Sequence, residues 1–183
     1  MYDDVVIIVD RLGNQIGVEE KLNAHRLGLR HLAFSVLLYR KTSDGFEYLL
    51  QKRALNKYHS GGLWTNTCCS HPRPDEKITQ ASSRRLYEEM GIEDKLNLEE
   101  IGCISYCAKF SNGLTENELD HVVIANIDDI STRLNPDEAS DCKWWKEDEL
   151  DANLHTHRDE FTAWFTLVYN KVKQHIHNLE LNS

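Results

Sequence analysis

The sequence predicts an α/β (α+β) fold in which one mixed β-sheet is sandwiched by helices. The chain has 183 residues, a length typical of one domain that buries enough surface to need no disulfide. Short β-branched or apolar segments, some arranged as hairpins, are interspersed with segments of helical spacing. We find no internal repeat, low-complexity tract or linker. We therefore expect a single domain over residues 1–183, with its core at about 20–165.

The first half of the chain is predicted to form three strands and one short helix. The strands are apolar or rich in β-branched residues, and they cover residues 5–9, 31–39 and 46–50. A turn at Gly13-Asn14 follows the first strand, and Ser43-Asp44-Gly45 joins the other two as a hairpin. Residues 19–25 have a short helical pattern. Gly61-Gly62 loosens the backbone before the mostly polar segment 64–69.

The second half is predicted to hold two longer helices and three strands. Residues 79–90 have helical character, and Gly91 in the C′ position ends this helix. The strands are predicted over 101–109, 119–127 and 141–145, and Asn112-Gly113 lies in the connection between the first two. The last helix is predicted at about 159–176. Its apolar residues at helical spacing are Phe161, Trp164, Phe165, Val168 and Val172.

The charge balance argues against a nucleic-acid partner. The chain has 30 acidic and 21 basic residues, which gives a formal net charge of −9 at pH 7. A diffuse acidic surface repels the phosphates of a nucleic acid. If the ligand is an anion, the few basic side chains must be gathered around it, or a metal ion must supply positive charge.

The cysteines predict a reducing compartment. The chain has five cysteines, an odd number, and two of them are adjacent in sequence. They are Cys68, Cys69, Cys103, Cys107 and Cys142. The chain opens with Met1-Tyr2-Asp3-Asp4, which is acidic where a secretory signal would be basic. The longest apolar runs, such as residues 33–39, are too short to span a bilayer. We expect a cytoplasmic protein with free thiols and no membrane partner, existing as a monomer or weak homodimer.

Charged side chains cluster on the predicted helix 79–90 and on the loop before it. Arg85 and Glu89 are four residues apart, so both can face the same ligand. In that arrangement the carboxylate can hold Mg²⁺ against a diphosphate, and the guanidinium can bind a phosphate oxygen. A solvated helix with i,i+4 ion pairs explains this segment equally well.

The same segment resembles the Nudix box. The positions that match the box are Glu76, Arg84, Glu88, Glu89, Gly91 and Ile92. Two positions depart from it, because Ser70 stands where the box has glycine and Arg85 stands where it has glutamate. The change at Arg85 removes a metal carboxylate and adds a phosphate-binding cation. It suggests a diphosphate that is held rather than hydrolysed.

A second group of residues has the chemistry of metal ligands. Its members are His25, His31, His71, Glu116 and Glu118. Residues i and i+2 of a strand point to the same side, so Glu116 and Glu118 can converge. Three imidazoles and two carboxylates suit a six-coordinate ion such as Mn²⁺ or Mg²⁺, while Zn²⁺ is less typical. A lone histidine is more often a surface or hydrogen-bonded core residue, the interpretation given to His59, His121, His155, His157, His175 and His177.

One cysteine lies close to this group in sequence. Cys69 stands two residues before His71. A thiol near a metal ion or another cation can be deprotonated, and it can then act as a base or a nucleophile. Most cysteines are inert core residues, and Cys103, Cys107 and Cys142 are interpreted in that way.

Together these segments resemble the type I isopentenyl-diphosphate isomerase family over about residues 20–164. The resemblance is carried by Glu20-Lys21 with His25, residues 30–35, residues 53–57, residues 63–72, Arg84-Arg85 with Glu89-Met90-Gly91, and Glu116-Asn117-Glu118. Each segment is weak evidence by itself. The whole set in this order is specific, because an unrelated chain would have to reproduce each spacing independently.

The resemblance implies a role for each matching position. The catalytic divalent metal would be bound by His25, His31, His71, Glu116 and Glu118. Glu89 would help to hold a second Mg²⁺ that arrives with the diphosphate. The diphosphate itself would be bound by Lys21, Arg53, Lys57 and Arg85. Protons would be transferred by Glu118, assisted by Tyr106, and by Cys69, which the spacing to His71 selects over Cys68. Trp164 would face the hydrocarbon end, although core packing on the last helix explains it equally well.

The implied reaction interconverts isopentenyl diphosphate and dimethylallyl diphosphate in isoprenoid biosynthesis, through protonation to a carbocation and deprotonation. Glu118 would deliver a proton on one face and Cys69 would remove one on the other, with the roles exchanged in the reverse direction. A Nudix-type diphosphate hydrolase is the nearest alternative, and it would not need Cys69. A non-catalytic metal-binding or phosphate-binding module is a further alternative, but it would not explain the combination of the Cys69 thiol with the Glu116-Asn117-Glu118 segment.

Overall fold

A mixed nine-stranded β-sheet forms the centre of the fold in the computed structural model, which describes residues 5–182. The strands are β1 (Val5–Val9), β2 (Gln15–Glu20), β3 (His31–Thr42), β4 (Gly45–Arg53), β5 (Trp64–Thr65), β6 (Cys68–Ser70), β7 (Glu99–Lys109), β8 (Thr115–Asn126) and β9 (Ala139–Lys146). The helices in this range are α1 (Lys21–Leu27), α2 (Ile78–Met90), α3 (Glu147–Thr156) and α4 (Phe165–Leu181), and none of them is long and apolar enough to cross a membrane.

Strand β3 connects the two halves of the sheet. It pairs antiparallel with β1, β4 and β6, and it pairs parallel with β8. Strand β8 continues antiparallel to β7, and β4 continues antiparallel to β5 and β9. The β3–β8 register runs from His31 opposite Glu118 to Tyr39 opposite Asn126. The predicted mixed sheet is confirmed, and this pairing brings two distant segments of the chain side by side.

Apolar side chains form two cores, one on each face of the sheet. Because successive strand residues point to opposite faces, Leu37 belongs to one core and Leu38 belongs to the other. Helix α4 contributes Phe165 to the first core, and α2 contributes Leu86 and Met90 to the second. Helices therefore cover both faces, as the sequence predicted.

The last helix differs from its prediction. It begins at Phe165 rather than at about residue 159. Phe161 is extended, and the N–H of Thr162 donates to the carbonyl oxygen of Trp64 in β5. Trp164 is the residue that precedes the first turn of α4. The predicted start is wrong because a backbone contact with a distant strand overrides the helical spacing of the local apolar residues.

Several short or polar elements gave no hydrophobic signal in the sequence. The unpredicted elements are β2, β5, β6 and α3. Strand β2 is almost wholly exposed, and β5 and β6 have two and three residues, too few for a pattern. Strand β8 begins earlier than predicted because its buried positions there are acidic, at Glu116, Glu118 and Asp120.

Gly91 is expected to tolerate no side chain, because it ends α2 in a left-handed conformation without room for a Cβ atom. Its φ is 63°, and a Cβ atom placed there would lie 2.3 Å from the carbonyl oxygen of Arg133. Gly91→Ala should lower the free energy of unfolding by about 2 kcal/mol or more, since left-handed backbone alone costs alanine roughly 1–2 kcal/mol. Urea unfolding followed by circular dichroism measures the change.

Gly28→Ala is the matched control for this substitution. Gly28 ends α1 with the same φ of 63°, but the nearest atom to its added Cβ would be a Thr115 carbon at 3.5 Å, an ordinary contact. It should therefore lose less stability than Gly91→Ala. Equal losses in the two variants would show that backbone conformation alone, and not the approach to Arg133, makes glycine necessary at position 91.

Candidate active site

One pocket collects most of the side chains that the sequence singled out. The space within it is about 480 Å³, including the part that is open to solvent. Eleven of the thirteen predicted site residues line it, namely Lys21, Arg53, Lys57, Cys69, His71, Arg85, Glu89, Tyr106, Glu116, Glu118 and Trp164. The other two, His25 and His31, are fully buried, and an imidazole nitrogen of each lies within 4.8 Å of a ring nitrogen of His71 and a carboxylate oxygen of Glu118.

The five predicted metal ligands converge from four parts of the fold. The β3–β8 pairing sets His31 opposite Glu118, and His31 Nε2 lies 3.3 Å from Glu118 Oε1. His71, just after β6, places its Nε2 3.1 Å from the same oxygen. His25 in α1 places its Nε2 3.8 Å from Oε1 of Glu116. Donor atoms of His25, His31, His71 and Glu118 all lie within 4.8 Å of one another.

Two of these histidines direct Nε2 at the carboxylates. Nδ1 of His25 lies 2.5 Å from the carbonyl oxygen of Lys21, and Nδ1 of His31 lies 2.8 Å from that of Leu29. A carbonyl oxygen can only accept, so each Nδ1 carries a proton, and in a neutral imidazole Nε2 then carries the lone pair. Both Nε2 atoms are buried and have no hydrogen-bond partner among residues 5–182. A bound cation would satisfy both nitrogens, so the donor set fits a divalent metal ion.

Burial and neighbouring groups set protonation states that suit metal binding. Burial lowers the pKa of His71 to about 4, despite its contact with Glu118, so the imidazole is neutral at neutral pH. Burial raises the pKa of Glu118, but contacts with the imidazoles of His31 and His71 outweigh it and hold the pKa well below its usual range. A neutral imidazole and an ionised carboxylate are the forms that bind metals.

Four cationic side chains are gathered at the same pocket. They are Lys21, Arg53, Lys57 and Arg85. Burial lowers the pKa of Lys21, and the nearby charges of Lys57 and Arg85 lower it further. In a chain with a formal net charge of −9, this concentration of positive charge indicates an anionic ligand.

Two carboxylates, Glu89 and Glu138, hold two of these cations, Lys57 and Arg85, in place. Nη2 of Arg85 lies 2.7 Å from Oε1 of Glu89 and 3.2 Å from Oε1 of Glu138. Nζ of Lys57 lies 2.6 Å from Oε2 of Glu138. Burial raises the pKa of Glu138, but Lys57 and Arg85 outweigh it, so the pKa lies below its usual value. Glu138 was not identified from the sequence, because it stands outside the segments whose spacing carried a signal.

Helix α2 satisfies both interpretations of its charged residues. Ion pairs at helical spacing are present, with Arg84 Nη1 at 3.2 Å from Glu88 Oε2 and Arg85 Nη2 at 2.7 Å from Glu89 Oε1. Hydrogen bonds from Arg84 to Glu76 lower the pKa of Glu76 and tie the preceding loop to the helix. Arg85 and Glu89 also line the pocket. The helix therefore combines a structural ion-pair network with two residues that can reach a ligand.

The two residues predicted to transfer protons and the tyrosine predicted to assist them line this pocket together. Burial raises the pKa of Cys69 to about 12, although Arg53, whose Nη1 lies 3.9 Å from the sulfur, opposes the shift. The group is therefore a thiol at neutral pH. The hydroxyl of Tyr106 donates to Oε2 of Glu118, and burial raises the pKa of Tyr106 well above its usual value. A protonated thiol and an ionised carboxylate thus face one cavity.

Trp164 and Cys68 each had an open interpretation, and the structure shows where each side chain lies. Trp164 is 2 % exposed and packs in the core beneath α4, while its ring also lines the pocket. The ring stacks on Tyr106 with centroids 6.0 Å apart, and the Arg53 guanidinium lies 5.7 Å from its centroid.

Cys68 packs in the other core, because adjacent residues of β6 point to opposite faces. Cys69, rather than Cys68, therefore reaches the pocket.

One histidine that the sequence analysis set aside belongs to this centre. His59 is buried, and its Nε2 lies 2.8 Å from Oε1 of Glu116. It forms a second group of possible metal donors with His25 and Glu116. Its neighbour Tyr58 also lines the pocket. No spacing or motif in the sequence marks this position, so the contact becomes visible only in the folded chain.

The fold and this pocket define a NUDIX domain protein. The NUDIX domain family matches residues 29–165 of the chain. The crystal structure of DR0079 from Deinococcus radiodurans superposes with a TM-score of 0.69 at 16% sequence identity, covering 92% of this chain and 98% of that one. The NUDIX domain of Shewanella oneidensis NrtR superposes with a TM-score of 0.61 at 16% identity, covering 79% and 87%. Likeness at this identity shows the fold alone.

Closer relatives identify the family within this fold. The isopentenyl-diphosphate Delta-isomerase of Aliivibrio fischeri (strain MJ11) is 50% identical over 176 residues, covering 95% of this chain and 97% of that protein. The enzyme of the same name from Photobacterium profundum is 49% identical over 172 residues, covering 94% and 96%. Isopentenyl-diphosphate Delta-isomerase 2 of Aromatoleum aromaticum is 42% identical, covering 93% and 87%. The chain belongs to the isopentenyl-diphosphate Delta-isomerase family.

Proposed function

We propose that the chain interconverts isopentenyl diphosphate and dimethylallyl diphosphate through a carbocation, as a step of isoprenoid biosynthesis. The observation that carries the proposal is one pocket, in a chain of this family, that holds a thiol, a tyrosine-bound carboxylate and a group of cations. The cations suit a diphosphate, and the thiol and carboxylate suit proton transfer at the hydrocarbon end.

The diphosphate would be bound at the cationic side of the pocket. The residues that bind it are Lys21, Arg53, Lys57 and Arg85. A guanidinium can bind two phosphate oxygens at once, so Arg53 and Arg85 can fix the orientation of the group as well as its charge. Glu89, already bonded to Arg85, is placed to hold a Mg²⁺ ion that arrives with the diphosphate.

The buried histidine and carboxylate group would hold a second divalent ion. Its ligands would be His25, His31, His71, Glu116 and Glu118. Mixed imidazole and carboxylate donors suit Mn²⁺ or Mg²⁺ in a six-coordinate site, and Zn²⁺ is the less typical choice. Such an ion supplies positive charge that fixes the position and ionisation of Glu118.

Cys69 and Glu118 would exchange protons with the substrate. An unactivated alkene is a weak base, so one group must donate a proton to it and another must remove one from the neighbouring carbon. The raised pKa of Cys69 and the lowered pKa of Glu118 leave the free protein with its transferable proton on sulfur. One group would thus be protonated and the other ionised, which is the pairing that two proton transfers require. The roles exchange when the reaction runs in the other direction.

Aromatic rings would protect the carbocation. Trp164 and Tyr106 stack beside the proton-transfer groups and line the pocket. A cation held over the face of a desolvated tryptophan gains about 2 kcal/mol. The same rings exclude water that would otherwise quench the intermediate.

The proposed setting is a small-molecule reaction in the cytoplasm, with no nucleic-acid or membrane partner. We propose that the protein acts as a monomer or a weak homodimer. The acidic net charge of −9 supports the absence of a nucleic-acid partner. All of the pocket residues named for catalysis belong to one chain, so the proposed chemistry requires no second subunit.

An isotope experiment tests the reaction directly. The metal-loaded protein is incubated with isopentenyl diphosphate and Mg²⁺ in heavy water, and the products are followed by NMR. Dimethylallyl diphosphate carrying deuterium, without free phosphate, is the expected result. Phosphate release without isomerisation would replace the proposal with a diphosphate hydrolase. Unchanged substrate with metal still bound would indicate a binding module.

Removing the divalent metal should abolish turnover and destabilise the protein. A ligand that binds only the folded state stabilises it by about 3–4 kcal/mol at roughly 100 to 1,000 times its dissociation constant. Chelation should therefore lower the unfolding free energy by about that amount, and added Mn²⁺ or Mg²⁺ should restore it. Chemical unfolding with and without metal, together with the isomerase assay, measures both effects.

Two histidine substitutions control the metal experiment. His31→Ala removes a buried predicted ligand, so the variant should gain little stability from added metal. His155→Ala removes an exposed imidazole on α3 and should respond to metal as the unmodified protein does. A full metal-dependent gain in His31→Ala would contradict the proposed ligand set.

A further inference from the structure

A separate group of metal-type side chains lies at the surface of the sheet, away from the pocket. Its members are Glu100, Cys103 and His121, and one donor atom of each lies within 4.8 Å of the other two. The pocket is lined by other residues. Glu118 and His121 are three residues apart in β8, so their side chains point to opposite faces of the sheet. This group is therefore distinct from the metal site proposed in the pocket.

A β-bulge in β7 brings the carboxylate and the thiol to the same side of the strand. Cys103 lies opposite His121 in the β7–β8 pairing. Glu100, three residues before Cys103, lies opposite Val123, which is only two residues along β8. Residues three apart in a regular strand face opposite sides, and the extra residue of a bulge reverses this. Gly102 stands in the bulge with a φ of 103°, a left-handed value that glycine adopts without strain.

Both side chains contact the same imidazole nitrogen. Sγ of Cys103 lies 3.4 Å from Nδ1 of His121, and Oε1 of Glu100 lies 2.6 Å from that nitrogen. In a tetrahedral site with Zn–S and Zn–N bonds of about 2.3 and 2.05 Å, the sulfur and nitrogen ligands lie about 3.6 Å apart. The thiol and the imidazole already have nearly this separation. The carboxylate would have to move outward slightly, and the Glu100 side chain, which is 37 % exposed, has room to do so.

The group is open to solvent. The sequence indicated an inert core position for Cys103, and this prediction is wrong, because the side chain is exposed on a strand whose residues alternate between exposed and half-buried. The His121 side chain is 20 % exposed. A metal ion can therefore reach all three donors without any opening of the fold.

From this geometry we propose that Glu100, Cys103 and His121 form a surface binding site for Zn²⁺. Thiolate, imidazole and carboxylate are the side-chain ligands of zinc, and three of them leave one tetrahedral position for water or another ligand. The thiol releases its proton to the solvent when it binds the ion. A thiolate ligand selects against Mg²⁺, which prefers oxygen, so this site and the diphosphate would take different ions. The inference does not depend on the proposed isomerase reaction.

Protection of the Cys103 thiol from alkylation tests the site directly. The full chain is treated with iodoacetamide at increasing Zn²⁺ concentration, and peptide mass spectrometry follows each cysteine. Only the free thiolate reacts, so the rate at Cys103 should fall about 10-fold when Zn²⁺ reaches roughly ten times its dissociation constant. Mg²⁺ at the same concentration should give no protection.

Cys107 is the internal control for this measurement. It is also an exposed cysteine of β7, but it lies opposite Asn117 rather than a histidine. Its alkylation rate should be the same with and without Zn²⁺. An unchanged rate at Cys103, or equal protection of both cysteines, would overturn the proposed site.

The absorption spectrum of bound Co²⁺ identifies the ligands. A thiolate ligand gives a sulfur-to-cobalt charge-transfer band, which imidazole and carboxylate ligands do not give. The unmodified protein should show this band, and Cys103→Ser should lose it. His121→Ala should weaken Co²⁺ binding by more than the roughly 10- to 100-fold that loss of an outer partner causes. Glu100→Gln should keep the band at a lower affinity. A band that survives Cys103→Ser and disappears in Cys69→Ala would assign the thiol of the pocket instead.

A substitution in the pocket separates the two metal sites. Glu116→Gln alters a proposed ligand of the pocket metal with little change of shape, and Zn²⁺ should still protect Cys103 to the same degree in this variant. Loss of that protection would mean that the effect at Cys103 comes from metal in the pocket, which would contradict a separate site. Circular dichroism confirms that each variant is folded.

Discussion

Cys69→Ala is expected to reduce isomerase turnover by about 10³- to 10⁴-fold, near the upper end of the contribution of a positioned proton-transfer group. The substitution removes the thiol that the raised pKa keeps protonated at neutral pH. The loss should appear in kcat more than in KM, because the substitution leaves Arg53, which lies beside the sulfur, free to bind the diphosphate as before. Steady-state rates with isopentenyl diphosphate measure both constants.

The adjacent cysteine provides the matched control. Cys68 is fully buried in the core beside α2, and burial raises the pKa of its thiol as well. Cys68→Ala should cost some stability, as core truncations do, but it should retain turnover. Near-normal turnover in Cys69→Ala, or an inactive but folded Cys68→Ala, would overturn the assignment of the catalytic thiol. Circular dichroism confirms that each variant is folded.

Glu118→Gln is expected to reduce turnover by a similar factor of about 10³ to 10⁴ while leaving the fold intact. Glutamine has nearly the same shape, but it has neither the negative charge nor the capacity to take up a proton. The carboxylate is contacted by His31, His71 and Tyr106, so its loss should also weaken metal binding. The heavy-water NMR assay at saturating Mg²⁺ separates slow chemistry from weak binding.

Two further variants help to interpret a loss of turnover in Glu118→Gln. Tyr106→Phe removes one hydrogen bond to a charged group, worth about 1.5–3 kcal/mol, so turnover should fall roughly 10- to 150-fold and remain measurable. Glu149→Gln alters an exposed carboxylate on α3 and should leave turnover unchanged. If Glu118→Gln kept near-normal turnover, the proposed proton exchange with Cys69 would be wrong.

Local sequence patterns were sufficient for the elements that form without distant partners. Helix α2 was predicted within a residue of its observed start, and Gly91 ends it in the left-handed conformation that glycine favours. The β3–β4 hairpin and its turn at residues 43–45 were also predicted, because β-branched and apolar runs flank a turn sequence. These signals lie within a few residues of one another, so a single sequence contains them.

The resemblance supplied most of the candidate site, and the pocket brings the predicted residues together. Motif spacing pointed to Cys69 and Glu118, although it could not set their protonation states. Burial decides those states, since it raises the pKa of Cys69 to about 12 while the imidazoles around Glu118 keep that carboxylate ionised. The protonation states of these two groups in the free protein are therefore a property of the folded pocket.

The sequence by itself determined the mixed sheet with its helices, because these depend on periodicity along the chain, and its resemblance to a known family supplied the candidate site residues. Only the tertiary structure decided the parallel register that sets His31 opposite Glu118, the late start of α4 and the contact between His59 and Glu116. Each of these arises between segments far apart in the chain. Local periodicity does not specify which distant strand or side chain a segment will contact. Those contacts are set when the whole sheet forms and buries its apolar faces.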